Sequence, residues 1–324
     1  MNFQFSIEYR TQWGEDLRLH IENKDYRMST LDGVKWTCSI QLSPSKKDHL
    51  DYYYMLYRDD KLVWREWELA PHTVYIKNLC RPSKPTFTPR TYIIEDYWRP
   101  IPDNLPLFSS AFTDIVGYHE KSDYSALPQY PSTLQFRIIE PRLSKWQRLG
   151  ICGNISQLGN WTTPVPMTLV GLQEWCLNLD INSIYHPIEY KYVIIDEQGN
   201  IICWEEGANR HIGSTQITGA DQPWIKTDSI ARFTLPNWKC AGIVIPVFSL
   251  RTERSYGVGD FGDLKDMISW ASSVGMHAVQ ILPINDTMMS GSWMDSYPYN
   301  SISIYAFHPL YADLNSLPAL SDGL

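Results

Sequence analysis

A run of alternating apolar and polar residues, Ile188 to Ile195, limits the fold of this chain more than any other feature. Large apolar side chains recur at every second position, which is the period of a β-strand with one buried face: Ile188, Tyr190, Tyr192 and Ile194. A turn-forming cluster follows at 196–200, so we expect Ile201 to Glu205 to return as the partner strand of a hairpin. The pattern therefore predicts an antiparallel hairpin that presents Lys191 on its outer face.

Two tryptophans accompany this hairpin. The segment 158–161 is a tight turn that ends on the indole of Trp161, and Trp204 lies on the returning strand. Two coplanar indoles beside the ammonium of Lys191 would suit a sugar, because a pyranose ring has an apolar C–H face and a rim of hydroxyls. Burial of roughly 100 Å² against each indole would stabilise such a complex by about 2–3 kcal/mol. The alternative is that these are ordinary sandwich residues, with the tryptophans in the core.

The order of the short motifs favours the sugar. The residues LGNW, EYKY, WE and NR follow one another over Gly150 to Arg210, and residues 131–215 resemble the starch-binding domains of carbohydrate-binding module family twenty along their full length. The resemblance implies a β-sandwich that binds α-glucan, such as starch, glycogen or maltodextrin. It assigns Trp161, Lys191 and Trp204 to the main glucan site and gives Asn209 a hydrogen bond to the sugar.

The first hundred residues predict a second, diverged copy of this sandwich. Alternating segments recur, and 51–54 stands where EYKY would be, but Tyr53 replaces the lysine and no NR pair follows. The main site is therefore expected to be degraded, with only Trp64 or Trp67 left. The family's second type of site has an aromatic residue before a turn, for which we expect Trp13 in the first copy and Trp146 (or Lys145, after a one-residue shift) in the second. A structural role is the alternative for Trp13.

Beyond Pro236 the pattern changes to strand, helix, strand. The apolar run 241–248 predicts a strand buried on both faces. Asp263 is expected to be the N-cap of a helix that ends at Gly275, and 278–283 should form a second buried strand. Residues 257–262 satisfy the GxGxxG fingerprint, but we reject a dinucleotide site there. The glycines do not follow the strand directly, and a pyrophosphate would be repelled by the aspartate between them, Asp260.

Three segments resemble the opening of the amylomaltases, the disproportionating 4-α-glucanotransferases of glycoside hydrolase family seventy-seven: AGIVIPVFSLRTERSYGVGDFGDL, VQILPINDT and SYPYNSISIYAFHPLYADL. The resemblance implies a (β/α)₈ barrel of which this chain holds about two of the eight strands. Tyr297 and Tyr299 match a tyrosine motif that lines the glucan groove, with a structural role as the alternative. The family's three catalytic carboxylates come later in the barrel, so we assign no catalytic residue in this chain. Asp286 is instead expected to shape a loop.

The expected fold class is multidomain: two antiparallel, immunoglobulin-like β-sandwich domains followed by the first βαβ units of an incomplete (β/α)₈ barrel. We predict a diverged starch-binding sandwich at 1–96, a proline-punctuated connector at 97–131, the starch-binding sandwich at 132–232 and the start of the barrel at 233–324.

Composition limits the partners. The net charge of −8, without a basic run, argues against nucleic acid or an anionic membrane surface. No signal peptide is visible at the start, and no apolar run approaches the ~20 residues of a membrane span. The six cysteines lack a CxxC pair, which favours free thiols in a reducing cytoplasm over disulfides or zinc ligands. No metal or cofactor is expected.

These observations predict part of a cytoplasmic 4-α-glucanotransferase. The parent enzyme would cut an α-1,4 bond, hold the glycosyl part covalently and pass it to a hydroxyl of glucose or of an oligoglucan. One alternative is a glucan-binding protein without enzymatic activity. Another is a different α-glucan enzyme, such as an amylase, fused to the same modules.

Overall fold

The computed structural model of the chain describes residues 1–42, 48–79, 90–181, 187–212, 222–236 and 238–318. The chain divides into two compact units, Met1–Leu235 and Pro236–Leu324. The first unit is almost entirely β-sheet. The second has one longer helix and a pair of short strands.

The first sandwich holds the predicted alternating strands: β1 (Asn2–Glu8), β2 (Glu15–Ile21), β3 (Lys24–Arg27), β4 (Ser29–Thr30), β5 (Lys35–Gln41), β6 (His49–Arg58), β7 (Lys61–Arg65), β8 (His72–Tyr75) and β9 (Thr91–Tyr97). A single helical turn, α1 (Ile76–Leu79), follows β8. The period-two pattern fixes which side chains enter the core, as in β1, where Phe3, Phe5 and Ile7 are buried.

The second sandwich repeats the arrangement with β10 (Thr133–Ile139), β11 (Arg148–Gly153), β12 (Val165–Pro166), β13 (Thr168–Leu169), β14 (Glu174–Asp180), β15 (Ile188–Ile195), β16 (Ile201–Trp204), β17 (Arg210–Ile212) and β18 (Trp224–Thr227). β15 and β16 form the predicted antiparallel hairpin. The apolar face of β15 is buried, with Ile188, Tyr190, Tyr192 and Ile194 each no more than 1% exposed.

One eight-stranded sheet, in the order β13-β14-β10-β18-β9-β1-β5-β4, runs through both sandwiches. The expectation of purely antiparallel sandwiches is wrong for this sheet, because β1 with β9, β10 with β18, and β18 with β9 pair in parallel. The physical reason is that the first and last strands of each sandwich lie side by side and run in the same direction. The two sandwiches share this sheet within one compact unit. The division of the chain at residues 96, 131 and 232 therefore stays a prediction.

Each sandwich is closed by its own five-stranded sheet. One has the order β3-β2-β6-β7 with β8 beside β6, and the other the order β12-β11-β15-β16 with β17 beside β15. Aromatic contacts join the layers. Phe5 meets Tyr52 in the first sandwich with centroids 5.0 Å apart, and Phe136 meets Tyr190 in the second at 4.8 Å. Both tyrosines belong to the aligned DYYY and EYKY motifs, so each motif supplies the centre of a core.

Between β9 and β10 the chain forms short helical turns at Leu105–Phe108, Phe112–Val116 and Tyr124–Ala126. This connector packs on the sandwiches. The ring of Tyr124 stacks on that of Tyr75 at 3.9 Å, and Phe108 meets the edge of Trp67 at 5.0 Å. The proline-punctuated segment is therefore an ordered part of the first unit.

In the second unit, β19 (Gly242–Ile245) and β20 (Ala278–Ile281) pair in parallel around the helix α2 (Phe261–Ser273). The prediction that β19 is buried on both faces is wrong, since Val244 is 61% exposed. The reason is that, over the described parts of the chain, β19 and β20 pair only with each other. No described helix is long and apolar enough to span a membrane.

The N-cap of α2 is Asp260, not Asp263 as the sequence suggested. The Asp260 carboxylate accepts the N–H groups of Gly262 and Asp263, and the Asp263 carboxylate accepts the Asp260 N–H in return. This capping box explains the error, because either aspartate alone satisfies the N-cap pattern. It also places a carboxylate where a phosphate would sit. Gly259 is required for packing, since a Cβ there would lie 2.1 Å from the Val247 carbonyl oxygen.

Candidate functional site

The indoles of Trp161 and Trp204 lie side by side on the second sandwich. Their ring centroids are 6.3 Å apart, and their planes are inclined by 40°. Trp204 is 39% exposed, and Trp161 is partly exposed above a small cluster that contains Cys152 and Val193. The sequence thus predicted the pairing correctly, but the rings are tilted rather than coplanar. Trp161 lies at the end of a turn, and Trp204 lies at the end of β16.

The turn at Ser156–Trp161 has an unusual backbone. Gly159, Asn160 and Trp161 all have positive φ, at 71°, 48° and 61°. Glycine adopts this region freely and asparagine tolerates it, whereas a bulky residue such as tryptophan rarely does. Leu158 is fully buried and anchors the turn to the core. Strain held by its surroundings is common in binding sites, so this backbone supports a functional role for the Trp161 indole.

Lys191 projects from the outer face of β15, and the protein itself positions its ammonium. Nζ donates to the carbonyl oxygens of Glu205 at 2.9 Å and Gly207 at 2.6 Å. An ammonium has three N–H donors, so one stays available for a ligand. Trp204 pairs with Val193, two residues along the same face of β15, which places the lysine and the indole on one surface.

Asn209 lies on the rim of this surface. Its Nδ2 donates to Glu189 Oε2 at 3.1 Å, and both residues are exposed. Glu189 shares the outer face of β15 with Lys191 and was missed at the sequence level, although its position in EYKY marks it. The amide oxygen of Asn209 and the second carboxylate oxygen of Glu189 are thus hydrogen-bond acceptors at the edge of the indole pair.

A buried charge cluster beneath the site was also missed. The Arg210 guanidinium bridges Glu205 at 2.6 Å and Asp228 at 3.4 Å, and Arg232 also contacts Glu205. Burial raises the pKa of Glu205, but the hydrogen bonds and charge of Arg210 outweigh burial and hold this pKa below its ordinary value. Because Glu205 follows Trp204 directly, this cluster fixes the strand end that carries the indole. The signal in the sequence was the WE and NR pairs.

The same scaffold recurs in the first sandwich without the indoles. Glu66 N donates to the Tyr54 carbonyl as Glu205 N donates to that of Tyr192. This match places Arg65 at the position of Trp204. The expectation that Trp64 or Trp67 keeps part of the site is therefore wrong.

Register explains the error. Trp64 is exposed, but it pairs with Leu56 across the sheet. The corresponding pair in the second sandwich is Cys203 with Ile194, so Trp64 occupies the position of Cys203 and not that of Trp204. Trp67 is buried. The rest of the site has changed as well. Tyr53 stands in the place of Lys191 and is stacked on His20 at 4.6 Å.

The candidates for the second type of site are all exposed. Trp13 is fully exposed, and Trp146 is 59% exposed with the ammonium of Lys145 over its ring at 4.3 Å. In the turns 12–15 and 144–147, a backbone hydrogen bond joins the last residue to the first, and the side chain of the last residue accepts the N–H of the first. This match aligns Trp13 with Lys145, so the two exposed indoles occupy adjacent rather than equivalent turn positions.

In the second unit, Tyr297 and Tyr299 are both more than half exposed, and their ring centroids are 5.5 Å apart. Three aspartates there each cap a local turn. Asp286 accepts from Met288 N, Asp295 from Ser290 N and Gly291 N, and Asp313 from Asn315 N. The loop-shaping role expected for Asp286 is confirmed.

Five cysteines are free thiols: Cys38, Cys152, Cys176, Cys203 and Cys240. The sixth, Cys80, lies outside the described residues. In the described ranges no group of three or more His, Cys, Asp or Glu side chains could hold a metal ion.

Two parts of the chain match protein families. Residues 132–221, which carry the indole pair and the Glu205–Arg210 ion pair of the charge cluster, match the family described as starch binding domain. Residues 245–324, which carry α2, β20 and the last residue of β19, match the family described as 4-alpha-glucanotransferase.

Individual relatives agree with both matches. The chain is 34% identical over 341 residues to 4-alpha-glucanotransferase DPE2 of Oryza sativa subsp. japonica, which covers 99% of this chain and 35% of the rice protein. A 4-alpha-glucanotransferase of Chlamydia caviae is 50% identical over 88 residues, covering 25% of this chain and 16% of that protein. The chain therefore resembles part of a 4-α-glucanotransferase that carries a starch-binding domain, and it spans about a third of the rice relative.

Among solved structures, the family 20 carbohydrate-binding module of the maltotetraose-forming amylase from Pseudomonas saccharophila STB07 is similar, with 20% identity and a TM-score of 0.23. That similarity covers 30% of this chain and 99% of the module.

Proposed function

We propose that this chain binds α-glucan through Trp161, Lys191, Trp204 and Asn209, and that it is the N-terminal part of a 4-α-glucanotransferase with tandem starch-binding sandwiches. The observation that carries the proposal is the exposed pair of tilted indoles within the segment that matches the starch-binding family. The whole enzyme would transfer α-1,4-glucan segments of starch, glycogen or maltodextrin by a retaining mechanism.

The tilt of the indoles suits an α-glucan better than coplanar rings would. An α-1,4-linked chain curves, so its successive sugar rings present their C–H faces at an angle to one another. Two indoles inclined by 40° can each cover one such face. At about 2–3 kcal/mol of burial per indole, offset by the cost of association, the expected affinity lies between about 10 µM and 1 mM.

The rim of the site supplies directional contacts. The free N–H of Lys191 would donate to a sugar hydroxyl, while the oxygens of Asn209 and Glu189 would accept from neighbouring hydroxyls. Because two carbonyl oxygens already hold the ammonium in place, little side-chain freedom is lost on binding. A neutral polyol with many hydroxyls satisfies all of these groups.

For the second unit we propose the start of an amylomaltase-type (β/α)₈ barrel, with Tyr297 and Tyr299 on its glucan groove. The parallel pairing of β19 and β20 around α2 supports this assignment. A retaining mechanism needs two carboxyl groups about 5–5.5 Å apart across the bond. We assign neither role in this chain, because Asp286, Asp295 and Asp313 each cap a turn. The free thiols support a cytoplasmic location.

The replacement Trp204→Ala tests the binding site. Loss of one indole contact of about 2 kcal/mol should weaken binding to glycogen roughly 30-fold in affinity gel electrophoresis. Trp64→Ala is the matched control, since Trp64 is an exposed indole on the corresponding strand of the first sandwich, and it should change binding by less than about twofold. Equal effects of the two replacements would contradict the proposed site.

A further inference from the structure

A second groove, separate from the indole pair, lies between the connector and the second sandwich. It has a volume of about 330 Å³, at the small end of the ~300–1,000 Å³ typical of ligand sites. Trp146 and Arg148 line it from the sandwich, Tyr118 and Glu120 from the connector, and Glu197 from the β15–β16 turn.

Two large aromatic side chains face this groove in an exposed state. Trp146 is 59% exposed and Tyr118 is 54% exposed. Single exposed aromatic residues are ordinary, but two that line the same concave surface provide the apolar area of a binding site. Their separation in sequence means that only the packing of the connector brings them together.

Three charged side chains of the groove are unpaired among the described residues. In the described part of the chain, the exposed side chains of Glu120, Arg148 and Glu197 have no hydrogen-bond or ion-pair partner. With Lys145, which lies over the Trp146 ring, the groove holds two positive and two negative charges. This balance favours a neutral ligand over a phosphate or another anion. Carboxylates and a guanidinium are suitable acceptors and donors for sugar hydroxyls.

The connector is held firmly where it borders the groove. His119, between Tyr118 and Glu120, is buried, and its ring nitrogens lie 2.8 Å from the Gly117 carbonyl oxygen and 2.7 Å from that of Gln147. Gln147 ends the turn that carries Trp146. His119 therefore ties the two walls of the groove to each other, and Tyr118 and Glu120 are positioned before any ligand arrives.

The resemblance already implies a glucan contact of the family's second type at the turn that carries Lys145 and Trp146. We propose that the connector completes this site, in which Tyr118 and Glu120 contact the same glucan chain as Trp146. The choice of α-glucan rests on the proposed function of the chain. Tyr118 and Glu120 lie before residue 132, outside the segment that matches the starch-binding family. The groove is thus a property of the connector and sandwich together, and the sandwich alone would lack half of it.

The test uses the full chain with Trp204→Ala as background, so that binding at the indole pair is already weakened. Binding of glycogen in gels and of maltoheptaose by calorimetry is then measured. Tyr118→Ala should weaken the residual binding about tenfold, and Glu120→Gln about threefold. Tyr118→Phe should keep most of the binding, because it retains the ring. Ile115→Ala, an exposed apolar residue of the same connector, is the control and should have no effect.

The outcomes separate the two proposals. If the unmodified chain binds glycogen but Tyr118→Ala and Glu120→Gln leave the residual binding unchanged, the groove proposal is overturned and the proposed function stands. If the unmodified chain fails to bind any α-glucan, the proposed function itself fails. Thermal unfolding of each variant shows whether it is folded. A Tyr118→Phe variant that binds as weakly as Tyr118→Ala, while folded, would also contradict stacking in the groove.

Discussion

One substitution at a buried position distinguishes the two sandwiches. His72 pairs with Tyr52 across the sheet as Arg210 pairs with Tyr190. The histidine lies 3.1 Å from Glu66 and 3.3 Å from Asp96, just as Arg210 bridges its own two carboxylates. Two tyrosine hydroxyls donate to the aspartate in each case. The first sandwich therefore has a titratable cation where the second has a permanent one.

This difference predicts a pH dependence for the first sandwich. Burial and the nearby Arg99 charge lower the pKa of His72, but the carboxylates of Asp96 and Glu66 outweigh them and raise it above its ordinary value. A raised pKa stabilises the fold fully below the unfolded pKa of about 6.5, and this stabilisation is lost as pH rises through the folded pKa. We therefore expect the urea concentration at the unfolding midpoint to decrease as pH rises above about 6.5.

His72→Gln, which cannot carry the charge, should reduce the slope of midpoint against pH over this range. The control is His211→Gln, an exposed histidine of the second sandwich, which should leave the slope unchanged. If the urea midpoint of the His72→Gln variant depended on pH as steeply as that of the unmodified chain, protonation of the buried imidazole would not contribute to stability.

At the scale of secondary-structure elements, the turn at Ser156–Trp161 has a left-handed backbone that the sequence predicted only in part. Its left-handed backbone sets the direction of the Trp161 indole, and a Cβ on Gly159 would lie 3.3 Å from the Thr163 Cβ. Gly199, in the turn between β15 and β16, also has positive φ but has open space around it. The two glycines therefore allow a matched comparison.

Gly159→Ala should cost about 1 kcal/mol of stability, because alanine is strained at positive φ. It should also weaken glycogen binding several-fold, because the backbone that positions Trp161 must shift to relieve the strain. Gly199→Ala should cost a similar amount of stability but leave binding unchanged. Both quantities come from urea denaturation and affinity gels. If Gly199→Ala weakened binding as much, the turn geometry at Trp161 would not be the cause.

Sequence predicted the elements well wherever a local pattern determines them. The alternation in β1 and β2 predicted both the strands and their buried faces. In β15 it predicted the strand and its core face, although Val193 and Ile195 on the other face are buried as well. The LGNW and WE motifs located the indole pair. Local rules failed where two answers fit equally, as for Asp260 and Asp263, which are three residues apart and both cap the same helix. Local rules also do not predict strand register. Only the pairing of β6 with β7 shows that Arg65 occupies the position of Trp204.

At the scale of the molecule, the shared sheet was invisible in the sequence because parallel pairing of distant strands leaves no local pattern. A buried ionic cluster accompanies it. The guanidinium of Arg99, just after β9, lies 2.5 Å from the Glu174 carboxylate on β14, and the backbone N–H of Arg99 donates to the Glu66 carboxylate at 2.6 Å. Tyr124 of the connector also donates to Glu174. The cluster therefore joins the first sandwich, the connector and the second sandwich, and we expect them to unfold together.

Removal of one member of this cluster tests that coupling. Burial raises the pKa of Glu174, but the charges of Arg99 and Arg137 lower it to about 2, so this carboxylate is ionised at neutral pH. Glu174→Ala leaves the buried Arg99 guanidinium without its carboxylate partner and removes the negative charge near Arg137. Loss of one partner of a buried ion pair typically costs about 3–5 kcal/mol. Hydrogen exchange should then accelerate in β2 of the first sandwich as well as in β11 of the second. Glu197→Ala, at an exposed position, should change neither. Faster exchange in β11 alone would mean that the two sandwiches fold independently despite their common sheet.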